Sequence, residues 1–109
     1  VWTNQEFPFY SKHGLGESPI VHQDLVIMPF DGSSPGPDIE VGWKKPWDRA
    51  LVVAFDAATG KVRWKTGRGL SRVSHMTPLV LDVDGRTQLI SPAGDRVQGF
   101  DPLSGELLW

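Results

Sequence analysis

Two stretches of this chain are near copies of each other, and that self-similarity constrains the fold more than any other feature. Residues 54–64 read Ala-Phe-Asp-Ala-Ala-Thr-Gly-Lys-Val-Arg-Trp, and residues 99–109 read Gly-Phe-Asp-Pro-Leu-Ser-Gly-Glu-Leu-Leu-Trp. Phe55 aligns with Phe100, Asp56 with Asp101, Thr59 with Ser104, Gly60 with Gly105 and Trp64 with Trp109, at an ungapped offset of 45 residues. A weaker similarity lies upstream: Ser18-Pro19-Ile20-Val21 resembles Thr77-Pro78-Leu79-Val80, and Leu25-Val26-Ile27 resembles Gln88-Leu89-Ile90. Val1-Trp2 reads as the tail of an earlier copy. Trp2 to Trp64 spans 62 residues, 17 more than the next interval, and the Gly-, Pro- and Ser-rich segment 31–49 accounts for the excess as an insertion. The chain thus divides into a strand remnant at 1–2, a first unit at 3–66 carrying the insertion, and a second unit at 67–109.

Within each unit the apolar residues come in short runs bounded by turn formers. Strands are expected near 19–22, 24–30, 50–56, 61–66, 78–82, 87–91, 95–101 and 105–109. No window repeats apolar residues at helical spacing without a Gly or Pro break, so no helix is expected. Leu51, Val53 and Phe55 would point one way and Val52 and Ala54 the other, which makes this strand apolar on both faces. Such a strand belongs in a sheet covered on both sides. Four strands per repeat of about 45 residues, in sheets that must be covered by neighbours, describe the blades of a propeller.

The repeated Asp-x-x-Thr/Ser-Gly segment has a clear local chemistry. Asp56 and Asp101 can accept the backbone N–H groups that follow them, as in an Asx turn. Gly60 supplies a positive φ that closes a hairpin with a bulge. Trp64, on the returning strand, is a natural wedge between neighbouring sheets, provided its indole N–H finds an acceptor. Asp56, Asp101, Trp64 and Trp109 are therefore read as structural.

The pattern Ala54-x-Asp56-x-x-Thr59-Gly60-x-x-x-Trp64 resembles the tryptophan-docking repeat of the pyrroloquinoline-quinone (PQQ)-like β-propellers, and Gly99 to Trp109 resembles it with Gly for Ala and Ser for Thr. The resemblance implies an all-β fold of two four-stranded antiparallel propeller blades, part of a larger or oligomerically closed β-propeller. It also implies export to the periplasm or beyond, and further blades or copies of the chain as partners. The family holds quinoprotein alcohol and glucose dehydrogenases, which bind PQQ and calcium, and also scaffold lipoproteins of outer-membrane assembly. PQQ in the dehydrogenases is typically covered by a vicinal cysteine disulfide, and this chain has no cysteine. No Glu/Asn/Asp calcium set can be assigned by motif, so no cofactor residue and no catalytic residue is carried over.

Composition narrows the remaining classes. Eleven Lys and Arg stand against 13 Asp and Glu, so the basic excess of a nucleic-acid binder is absent. No apolar run reaches the roughly 18 residues of a membrane-spanning helix, and no segment reads as a signal peptide. Asp82-Val83-Asp84-Gly85 resembles the start of a calcium loop, but position 93 is Ala where a closing carboxylate is needed, and a hairpin turn is the simpler reading. His13 and His22 lack a third ligand for zinc.

Antiparallel connectivity places the insertion 31–49 and the connection 67–77 at one end of the sheets. They would gather Trp43, Lys44, Lys45, Trp47, Asp48, Arg68, Arg72 and His75 there. Trp43, Trp47, Arg72 and His75 are the candidate ligand rim, able to stack on an aromatic or sugar ring and to attract an anion. The same residues can also serve structure alone, with the indoles folding the long loop back and the cations solvated. Three functional readings follow: a non-catalytic scaffold or interaction module, part of a PQQ-dependent oxidoreductase, or a propeller rim that binds a sugar or other small molecule.

Overall fold

A computed structural model of the chain describes residues 1–7, 10–11, 13–14, 16–32, 37–38 and 40–109. Seven strands run in chain order: β1 (Ile20–His22), β2 (Leu25–Phe30), β3 (Leu51–Asp56), β4 (Val62–Gly67), β5 (Leu79–Val83), β6 (Arg86–Pro92) and β7 (Val97–Phe100). They form two antiparallel meanders, a four-stranded sheet in the order β1-β2-β3-β4 and a three-stranded sheet in the order β5-β6-β7. The fold is all-β, with no helix among the described residues.

The strand expectations hold for the first seven segments, and the eighth is corrected. Residues 105–109 return along β7 but pair only through a bridge between Phe100 and Leu107 and through backbone bonds of Leu108 and Trp109 with Gly99. In the first sheet the matching residues form the full strand β4, in which Trp64 pairs with Ala54.

The ladders explain how the sheets pack. Ile20, Ile27, Ala54 and Trp64 lie opposite one another across all four strands of the first sheet, so their side chains share one face. Val80, Leu89 and Phe100 lie opposite one another across the three strands of the second sheet. The two rows meet in one core that also takes in Leu25 and Val52. Ile27, Val52, Ala54, Leu89 and Phe100 are each 0% exposed. At roughly 1.5–3 kcal/mol for each large apolar side chain buried, this layer is the main source of cohesion between the sheets.

The turn motif forms as its residues require. The Asp56 carboxylate accepts the N–H groups of Ala58 and Thr59 and the Thr59 hydroxyl, at 3.1, 2.8 and 2.8 Å. These bonds hold its carboxyl below the usual range. Asp101 likewise accepts from the N–H groups of Leu103 and Ser104. Gly60 and Gly105 have φ of +72° and +75°, and the β3–β4 ladder slips by a bulge between Ala54 and Phe55.

Candidate functional site

Trp64 and Trp2 occupy equivalent seats. The Trp64 indole is 8% exposed and donates its N–H to the Pro102 carbonyl at 3.0 Å. Its ring lies flat against Gly105, where an added Cβ would stand 2.5 Å from the indole. Trp2 does the same one unit earlier, donating to the Ala57 carbonyl at 2.9 Å with its ring against Gly60. Ala57 and Pro102 are matching positions of the repeat. A glycine is therefore required twice over, for its left-handed backbone and for the ring that rests on it.

Trp109 has no such seat among the described residues. It is 56% exposed, its ring folds back over Gly99 of its own sheet, and its N–H donates to the Gln88 side chain at 2.7 Å. The face it crosses is apolar and open, with Leu79, Leu81 and Val83 exposed by 43, 50 and 40%. The opposite face of the first sheet is partly covered. Phe55 is ringed there by Trp2, Phe7 and Phe30, with centroids 5.9–6.3 Å away.

At the other end of the sheets, the insertion and the connection 67–77 do meet. Trp47 and Ser71 exchange backbone bonds of 2.8 and 3.0 Å, and Val73 N–H bonds the Gly42 carbonyl. Trp43 packs edge-on against His13 at 5.3 Å, with the Lys44 ammonium 5.1 Å from its ring. Trp47 lines a concavity of only about 50 Å³ with Phe7, Tyr10, Phe30, Arg49 and Leu51. Arg72 is occupied by Asp95, which accepts from both its guanidinium and its backbone N–H. Lys44 and Lys45 pair with Glu40 and Asp38 at 2.8 Å. His75 rests against Gly16, with Nδ1 3.9 Å from the Glu17 carboxylate. The four candidate rim residues thus share one end of the molecule, but each is engaged locally.

Arg68 differs most from its sequence reading. Instead of standing on the rim, its side chain is 0% exposed and pairs with Asp31, 1% exposed, through contacts of 3.0 and 2.9 Å from Nη1 to both carboxylate oxygens. Its Nη2 donates to the Ser91 carbonyl at 2.7 Å and its Nε to Gln98 at 3.4 Å, so it ties the end of β4 to β6 and β7. Burial pushes the Asp31 carboxyl up to about 6, against the pull of Arg68, and the nearby Glu17 pushes the same way. Glu17 is itself buried, and its Oε1 has no hydrogen-bond partner among the described residues. Nothing local in the sequence marks Glu17, Asp31 and Arg68 as a set, because they come from three separate loops.

A second concavity, of about 240 Å³, opens at the turn end where the two sheets meet. Its walls are His22 and Gln23 from the β1–β2 turn, Gly85, Arg86 and Thr87 around the β5–β6 turn, and Asp101 to Leu103. Asp82, Asp84 and Gly85 belong to that hairpin, and no three His, Asp or Glu side chains converge among the described residues as a metal requires. Among the described residues no helix is long and apolar enough to cross a membrane. Compared with protein-family models and with curated proteins, the sequence matches none.

Proposed function

We propose that this chain is a non-catalytic module of a PQQ-like β-propeller, a scaffold or interaction unit whose two sheets are successive blades. The observation that carries this reading is the equivalence of the Trp2 and Trp64 seats. Each indole rests on the glycine of the next Asp-x-x-Thr/Ser-Gly turn and bonds the matching carbonyl. Trp109 is the next indole in that series, and the open face bearing Leu79, Leu81 and Val83 corresponds to the face of the first sheet that the second sheet covers. A further unit of the same kind is the natural cover, and its turn is the natural seat for Trp109. This head-to-tail geometry repeats one contact, which closes a ring when the rotation allows. Export follows from the same resemblance.

With the chain alone in solution, the covering unit is a second copy. Light scattering over a concentration series is expected to give assemblies of several chains. Leu81→Lys, which places a charge on the open face, is expected to return them to monomers. A monomer at every concentration would contradict the stacking reading.

A further inference from the structure

The cleft at the turn end sets cationic side chains on one wall against a carboxylate on the other. Among the described residues, Arg63 pairs with Asp24 and Asp56, Arg72 with Asp95, and Arg96 bonds the carbonyls of Arg68 and Leu70, whereas the side chains of Arg49 and Arg86 make no hydrogen bond or ion pair. The side chains of Arg86 and His22 line the cleft and make no hydrogen bond or ion pair among the described residues. A guanidinium carries five N–H donors in a planar fork suited to a carboxylate. Gln23, whose backbone is held at φ +54°, adds an amide on the same wall.

The facing wall has the opposite character. Asp101 spends Oδ1 on the N–H groups of Leu103 and Ser104, which leaves Oδ2 as an acceptor. The Ser104 N–H chiefly holds the Asp101 carboxyl below its ordinary value, with Leu103 N–H and, least, the charge of Arg86 acting the same way. Leu103, 54% exposed, gives the cleft an apolar edge. The volume of about 240 Å³ lies below the roughly 300–1,000 Å³ of sites for drug-sized ligands.

From this arrangement we propose that the cleft binds a small hydroxy-carboxylate, its carboxylate held by Arg86 and His22 and a hydroxyl donating to Asp101. The fixed charge of Asp101 disfavours a dianion and rewards a ligand that brings a donor of its own. The site lies wholly within the described residues of one chain, so it stands independently of how the chain associates.

The test is a calorimetric titration with D-glucuronate, D-glucose and inorganic phosphate in turn, with backbone amide shifts followed by NMR. D-glucuronate is expected to bind saturably at one site and to move the amides of His22, Arg86 and Asp101. D-glucose, with similar hydroxyls and no carboxylate, is expected not to saturate. Arg86→Ala is expected to weaken D-glucuronate at least about tenfold, the scale of one lost charge-assisted bond. Arg49→Ala, an exposed arginine away from the cleft, is expected to leave it unchanged. Absence of saturable D-glucuronate binding, equal affinity in Arg86→Ala, or tighter binding of inorganic phosphate than of D-glucuronate would each overturn the proposal.

Discussion

Trp64 and Trp109 stand at the same position of the same motif, yet one is buried in the core and the other lies 56% exposed across its own sheet. Their strands pair alike, Trp64 with Ala54 and Trp109 with Gly99. What separates them is the partner: Trp64 has the Gly105 turn to rest on and the Pro102 carbonyl to bond. The motif thus stores a side chain whose contribution depends on the neighbouring sheet. Repeat proteins generally draw much of their stability from such nearest-neighbour interfaces.

The largest expected effect breaks this comparison directly. Trp64→Ala should destabilise by about 3–5 kcal/mol, as truncations of buried large aromatics do, while Trp109→Ala should cost less than about 1 kcal/mol. Urea denaturation of the two variants under conditions that keep the chain monomeric checks both values. Similar losses would mean that the seat is not what distinguishes the two indoles.

A second contrast sets the buried ion pair at the loop end against the apolar row between the sheets. The folded Asp31 carboxyl sits at about 6 against an ordinary 3.8. Between those values the folded protein holds a proton that the unfolded chain releases, so stability from this group falls as pH rises and the cost is complete above about 6. Relative to Asp31→Asn, the wild type should lose roughly 2 kcal/mol between pH 4 and 7, at about 1.36 kcal/mol per unit. Urea melts of both proteins at several pH values measure that difference. A gain over the same range would show that the attraction of Arg68 outweighs burial. The apolar contacts at Trp64 carry no such dependence.

Gly105→Ala sharpens the comparison from the other side of the seat. The left-handed backbone costs an alanine about 1–2 kcal/mol, and the methyl would also displace the Trp64 ring. A loss of about 2–4 kcal/mol by denaturant melt is expected, with the Trp64 fluorescence shifted toward that of an exposed indole. The smallest effect belongs to the open face. Leu81→Lys should change monomer stability by no more than about 0.5 kcal/mol, since the side chain is half exposed.

Much of this fold was legible in the repeat. The alternation around Val52 and Phe55, the Asp-x-x-Thr/Ser-Gly turns and the position of Trp64 are local signals, each with a local cause. The seventeen-residue excess also marked the insertion whose Trp47 meets Ser71 at the loop end. Arg68 was not legible. An arginine between two glycines reads as a solvated loop cation, and only the fold brings Asp31, Ser91 and Gln98 to it. The turn-end cleft escaped for the same reason: His22 and Arg86 lie far apart in sequence, and each alone reads as a hairpin-turn residue. Trp109 holds the same motif position as Trp64, but the motif does not encode whether a neighbour is present.

The most direct test of the central claim is hydrogen exchange of the indole N–H groups, followed by NMR on the monomeric chain. Exchange of the Trp64 N–H is expected only through global unfolding, at the rate of the slowest core amides such as Phe100. The Trp109 N–H is expected to exchange orders of magnitude faster. A Trp64 N–H that exchanges as fast as that of Trp109 would contradict the account, because the two sheets would then not be joined through that indole.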